Sequence, residues 1–244
     1  MSHRKSSTKG ARLGTRMRGD LEEAFNLRGS QKAFLFNSYS LKRQSDVVIS
    51  GKLRFLHFLH AESDPSIETV NYWPSAPGIS ANEDIGFHAE VITTGGILKL
   101  RAVRSETATD TASQRVNREI CLTRYRQFPK LSLGKYRSVE FQVLTEQEML
   151  PGHEMRLWNW HRLLPWYAQA RYHSLGQAKR LLHARLQAQG ACDVRNLLAM
   201  AMKGAEGALL IAAAIEAVAR GQCQSDLNDV AFSKNTRFFL KGRE

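Results

Sequence analysis

Between Ile85 and Ser105 the chain reads IGFHAEVITTGGILKLRAVRS. Phe87 to Thr93 is rich in Val, Ile and Thr, while Ile97 to Arg104 alternates apolar and basic residues around Thr94-Gly95-Gly96. Two β-prone runs joined by a Gly-Gly pair predict an antiparallel hairpin, because glycine reaches the backbone angles a tight reversal needs. A lone hairpin is barely stable in water. The remaining chain must therefore supply a sheet and the helices that cover it.

Upstream, Ala33 to Leu41 and Asp46 to Ile49 read as extended, and Asp20 to Arg28 reads as a short amphipathic helix with Asp20 as its cap. In SGKLRFLHFLHAESDPSIETV, Ser50 is the expected cap of a helix that runs to about Ala61 and stops at Asp64-Pro65. Leu53, Phe55, Leu56, Phe58 and Leu59 leave that helix little polar face, which predicts packing on more than one side. Its His57 and His60 are three apart, a spacing able to share a metal, but no third ligand follows at a metalloenzyme spacing. They are expected as partly buried, hydrogen-bonded side chains. Ile67 to Trp73 reads as a strand, Pro74, Pro77 and Gly78 as a loop, Thr109 to Phe128 as a helix ended by Pro129, and Val139 to Leu144 as a strand. Residues 19–145 thus give an α/β domain built on a small mixed sheet flanked by helices.

Composition changes at Thr145. Thr145-Glu146-Gln147-Glu148 has the capping-box pattern. Arg156 to Tyr172 reads as helix interrupted at Pro165, followed by helices over Leu175 to Gln189, Asp193 to Met202 and Gly207 to Arg220, the last ended by Gly221. Val230 to Phe232 and Arg237 to Leu240 read as short strands. Trp158, Trp160 and Trp166 are expected as core or interface anchors. Residues 146–244 therefore form a mainly helical, winged-helix-like domain.

A formal net charge of +12 over 244 residues favours a polyanionic partner, nucleic acid first. Residues 1–18 contain Arg4, Lys5, Lys9, Arg12, Arg16 and Arg18 with no acid, the composition of a flexible basic arm. Cys121, Cys192 and Cys223 include no CxxC pair, so neither a disulfide framework nor a zinc knuckle is indicated. No apolar run follows the basic N-terminus, and Ala208 to Ala219 is too short to span a bilayer. A cytoplasmic protein is expected.

Three stretches carry a resemblance to TnsA-type proteins, the endonuclease subunits of heteromeric transposases. SGKLRFLHFLHAESDPSIETVNYWP is similar to the family's Ser-x-x-Glu helix, acid-x-Asp-Pro turn and following strand. FHAEVITTGGILKLRAVRS is similar to its Pro-Asp strand, turn and Glu-x-Lys strand. FQVLTEQEM and AAAIEAVARGQCQSDLNDVAFSKNTRFFL resemble its short apolar helix, Gly-x-x-x-x-Asp-Leu step and closing strand. The resemblance covers roughly residues 45 to 240. It implies a restriction-endonuclease-like N-terminal domain and a winged-helix-like C-terminal domain. It also implies work at transposon-end DNA in the bacterial cytoplasm and nucleoid, with a DDE-type transposase and an AAA+ ATPase regulator as partners.

Carried over position by position, the family's helix glutamate falls at Arg54, its metal-binding aspartate at Glu90, and its Glu-x-Lys pair at Ala102 and Arg104. Metal-dependent phosphodiester hydrolysis needs Mg²⁺ or Mn²⁺ held by several oxygens. Ala102 supplies none, Arg54 places a cation where an anion is wanted, and Arg104 stays protonated and so cannot act as a base. Glu62, Asp64, Asp84 and Glu106 are further carboxylates nearby. The expectation is a DNA-binding, catalytically impaired subunit that needs no cofactor. Its alternatives are an active endonuclease with a rearranged site using Mg²⁺ or Mn²⁺, and a DNA-binding regulator. Arg12, Arg16, Arg18, Arg54, Lys99, Arg101, Arg104, Lys179, Arg180 and Arg185 are the candidate DNA contacts.

Overall fold

Leu35–Ser40 (β1) and Ser45–Ser50 (β2) pair antiparallel, and the β-branched run of β2 is buried at Val47, Val48 and Ile49. These come from a computed structural model that describes residues 34–72, 87–104, 136–201 and 207–240. The basic arm with Arg12, Arg16 and Arg18, the Asp20–Arg28 helix, the loop at Pro74–Gly78, the Thr109–Phe128 helix, Cys121, Asp84 and Glu106 lie outside the described residues.

Ser50 does not cap the first described helix, α1 (Lys52–Ser63); it ends β2, and Gly51 takes the cap position with φ 92°. The positive φ turns the chain sharply from strand to helix, a backbone state that glycine adopts without steric cost. α1 stops where Asp64 becomes extended ahead of Pro65. As its composition predicts, α1 packs on several sides. Phe58 and Leu59 join the largest core, Ala61 meets a strand hairpin, and Leu53 and Leu56 cover Val103, Leu144 and Met149.

Ile67–Asn71 (β3), Ala89–Thr93 (β4), Ile97–Val103 (β5) and Ser138–Leu144 (β6) form one sheet in the order β3-β4-β5-β6. The first two pairings are antiparallel, and β5 and β6 are parallel. A parallel pair cannot be joined by a tight turn, and the chain takes residues 104–137 to return. The expected β4–β5 hairpin closes through Gly96 N–H to Thr93 O at 2.9 Å, with Gly96 at φ 75°. The Thr93 hydroxyl also accepts the Ile97 N–H at 3.1 Å.

The register sorts the hairpin's two faces. Ala89 and Val91 lie beside Ala61 of α1, and their partners Arg101 and Lys99 share that face. Ile92, Leu98 and Leu100 pack with Phe87, Val139 and Phe141 on the opposite face, which Glu90 shares through its partner Leu100.

After the sheet, Thr145 and Glu148 form the predicted capping box on Glu146–Met149 (α2). Glu154–Ala170 (α3) runs through Pro165 without interruption, contrary to expectation. A mid-helix proline costs about 3 kcal/mol. Burial of Leu157, Trp160, Leu163, Leu164 and Tyr167 on the opposing face offsets it. Then come Gly176–Gln189 (α4), Ala191–Asp193 (β7), Val194–Ala201 (α5), Gly207–Ala219 (α6), Gln224–Ser225 (β8), a 3₁₀ turn at Asp226–Asn228 and Arg237–Phe239 (β9). These three strands make an antiparallel sheet in the order β7-β9-β8.

Val230–Phe232 is not a strand. The buried side chain of Asn159 takes over its backbone groups. Asn159 Nδ2 donates to Leu227 O and Val230 O, each at 2.8 Å, and Oδ1 accepts the Phe232 N–H at 2.8 Å. Backbone polar groups satisfied this way need no ladder.

The largest apolar cluster joins Leu41, Val47, Ile49, Phe58 and Leu59 to residues of α3, α4, α5, α6 and β9. α1 is thus a shared wall, with the mixed sheet on one side and the helices on the other. No described helix is long and apolar enough to cross a membrane.

Candidate functional site

The C-terminal half of α1 buries Glu62 completely, at 0 % exposure. Four donors converge on its carboxylate. Ser40 Oγ and Tyr72 OH donate to Oε1 at 2.6 and 2.8 Å, and the backbone N–H groups of Leu41 and Lys42 donate to Oε2 at 2.8 and 3.1 Å. Burial nevertheless pushes the Glu62 carboxyl up, with these hydrogen bonds opposing. The Lys42 ammonium is spent on the carbonyls of Asp64 and Ile67, and burial lowers its pKa to about 8. Burial and the neighbouring Glu62 hold the Tyr72 phenol well above its usual range. This network ties the β1–β2 turn to the end of α1 and the start of β3.

Beside it lies a set of buried nitrogens with no such closure. Arg101 is 4 % exposed; its Nε donates to Gln142 Oε1 at 3.1 Å, but its Nη1 is buried with no hydrogen-bond partner among the described residues. The same holds for His57 Nε2, His60 Nδ1, and Arg156 Nε and Nη2. His57 and His60 stand on one side of α1, Arg101 on the β5 face beneath it, and Arg156 on the first turn of α3. Burial lowers His57 far below the ordinary histidine range, helped by Arg101, His60 and His88. His60 falls to about 4 through burial and the charges of Arg156 and Arg101. Burial pushes Asp64 up, but bonds from Ser66 N and Oγ at 2.9 and 2.7 Å and the charges of Lys42 and Arg101 win and hold it low. The expectation of hydrogen-bonded histidines therefore fails at these two ring nitrogens.

The four positions carried over from the family motif are split between α1 and the far face of the sheet. Arg54 is exposed on α1. Glu90 accepts Asn71 Nδ2 at 3.0 Å, with its carboxyl raised by burial, on the sheet face turned away from α1. Ala102, buried, alternates onto that same far face, and Arg104 lies just past β5, its N–H donating to Leu144 O at 3.0 Å. On the face that meets α1, the strand presents Arg101 and Val103. A shift of one residue exchanges the two faces of a strand. The carboxylate that α1 buries is Glu62, two turns beyond Arg54.

Among the other candidate contacts, Lys99 lies 4.0 Å from Glu140. Lys179 is committed to the buried Glu216 at 2.9 Å, which also accepts Arg220 Nε at 3.0 Å and Tyr167 OH at 3.1 Å. Arg180 is exposed, and Arg185 is half-buried with its Nε enclosed.

Glu62 itself offers no open oxygen to a divalent ion. Glu62 has its oxygens occupied by four protein donors, a guanidinium stands on the neighbouring strand, and no group of three His, Cys, Asp or Glu among the described residues could hold a metal. Nothing in the sequence flags Arg156 or Lys42 as part of this site. The three-residue spacing of His57 and His60 was the one legible signal. No family model matches the chain, and no curated protein matches it at a significant level.

Proposed function

We propose that this protein is a TnsA-like, DNA-binding subunit of a transposition complex that contributes assembly at transposon ends rather than strand cutting. The observation that carries the reading is the buried Arg101 guanidinium, set on the hairpin face beneath α1 while the only carboxylate α1 buries is saturated by protein donors. A positively charged, closed site of this kind attracts phosphate and repels the hard cation that hydrolysis needs.

The order of elements supports the fold side of the proposal. A helix leads into an antiparallel hairpin whose second strand pairs in parallel with a later one, as the restriction-endonuclease-like reading requires. Residues 176–240 run helix, strand, helix, helix, strand, strand, which suits a winged-helix-like module. Its α6 is buried from Leu210 to Ala217 and contains no Lys or Arg, so this helix offers no base-reading surface. The helical part is assigned to docking the transposase or its AAA+ regulator, with Arg180 among its exposed cations. DNA contact is assigned to the sheet side.

The test is duplex DNA containing transposon ends, incubated with the full chain and its partners in Mg²⁺ or Mn²⁺. The proposal expects binding that weakens steeply as salt rises, no nicking, and insertion products that retain joined donor DNA. Metal-dependent cleavage abolished by Glu90→Ala would overturn it in favour of an endonuclease.

A further inference from the structure

Five buried nitrogen atoms on four side chains lack a hydrogen-bond partner among the described residues at one seam between α1, β5 and α3: His57 Nε2, His60 Nδ1, Arg101 Nη1, and Arg156 Nε and Nη2. Unpaired polar atoms are rare in protein interiors because each forfeits its hydration without return. Two arginines at one seam are more demanding, since neither sheds its proton. Arg101 and His57 are both over nine-tenths buried, at 4 % and 2 % exposure. Asp64 is the nearby carboxylate that acts on both arginines, and its Oδ1 is already engaged by Ser66. The guanidinium nitrogens can only donate, and each neutral imidazole has one N–H to give.

The geometry points to a phosphate-binding site formed by Arg101 and Arg156 with His57 and His60. A tetrahedral oxyanion presents several acceptor oxygens at once, and guanidinium forks match it in shape and charge. Neutral imidazole N–H groups complete the shell. Seating the anion requires the seam to part slightly, and once seated it ties the sheet side to the helical side through Arg101 and Arg156. The site stands on the unpartnered donors alone; only its identification with a DNA phosphate rests on the proposed function.

The experiment is thermal unfolding of the full chain titrated with inorganic phosphate, with ionic strength held constant by chloride. Phosphate at about a hundred times its dissociation constant is expected to raise Tm by about 5–10 °C, saturably. The rise is lost in Arg156→Gln and in Arg101→Gln, survives in the exposed Lys234→Gln, and is partly restored in Arg156→Lys. Should Arg101→Gln fail to fold, Arg156→Gln alone decides. A rise matched by chloride, or one that persists in both arginine variants, overturns the site. Prior saturation with duplex DNA identifies the source. If it abolishes the phosphate response, the ligand is a phosphodiester; if it leaves the response intact, the site serves a free phosphate. A chain that binds phosphate but no DNA sinks the transposition reading while leaving this site standing.

Discussion

Ala89 and Arg101 stand opposite each other across the β4–β5 hairpin, on the face that α1 covers. The small side chain on one strand leaves room for the long cation on the other, whose Nε reaches Gln142 on β6. A buried guanidinium satisfied on one side only is a burden on the fold. Replacing buried ionic groups by apolar ones of similar volume is neutral or stabilising by about 1–4 kcal/mol. Arg101→Met is therefore expected to hold or gain stability in phosphate-free buffer while losing its response to phosphate. Urea unfolding measures this, and a loss above about 2 kcal/mol would mean that the protein itself neutralises Arg101.

Glu62 behaves in the opposite way because its partners are complete. Truncation in Glu62→Ala strands the hydroxyls of Ser40 and Tyr72 and the N–H groups of Leu41 and Lys42 in a dry interior. Removing one member of such a network costs about 3–5 kcal/mol, which for a chain of this size lowers Tm by roughly 6–20 °C. Glu62→Gln retains an acceptor oxygen and should lose less. A change below about 1 kcal/mol in the alanine variant would show that the network contributes nothing net.

Acid should weaken the fold before carboxylates titrate. His60 falls to about 4 in the folded chain against an ordinary 6.5, and His57 is shifted the same way. Between those values the unfolded chain binds the proton and the folded chain does not. Their stabilisation is therefore complete above about pH 6.5 and drains away as pH falls toward 4. The opposing groups are Arg101, Arg156, His153 and His88, with Asp64 working the other way. Allowing for screening at the partly exposed His60, that residue accounts for about 1–2 kcal/mol of loss by pH 5, and His57 adds to it in the same direction. Comparing urea unfolding at pH 7 and 5 tests it. The double variant His57→Gln/His60→Gln should lose correspondingly less, and an equal loss would remove these histidines from the account.

Periodicity and punctuation found the elements that close locally: the Gly-Gly hairpin, the Asp64-Pro65 stop, the Thr145 capping box and the Gly221 cap. They failed where a distant side chain decided the outcome. Asn159, more than sixty residues away in sequence, holds the 227–232 loop out of strand geometry. Of the three tryptophans expected as core or interface anchors, Trp158 and Trp166 are 57 % and 50 % exposed and Trp160 is buried, because α3 turns only one stripe inward. The site suffered most from register. The motif carry-over puts the strand pair at 102 and 104, whereas the face that α1 covers presents 101 and 103, and alternation alone cannot say which face a helix will cover. Arg156 was invisible because it comes to act on His60, as Arg101 does, only after the helical part folds back against α1.

That folding back has its own local test at Gly221. This residue ends α6 at φ 66°, and a Cβ there would lie 3.3 Å from Pro65 Cβ, at the turn that ends α1. Alanine must therefore accept a left-handed backbone, at about 1–2 kcal/mol, and also press on a rigid proline ring. Gly190 provides the control, because it ends α4 at φ 76° and a Cβ there would meet nothing within 4 Å. Gly190→Ala should cost only the backbone strain, about 1–2 kcal/mol. Gly221→Ala should cost more by whatever the contact with Pro65 contributes, and pairing it with Pro65→Ala should recover that excess. If the two glycine variants lose equal stability and Pro65→Ala recovers nothing, α6 and the end of α1 are not pressed together, and the seam beneath them loses one of its fixed walls.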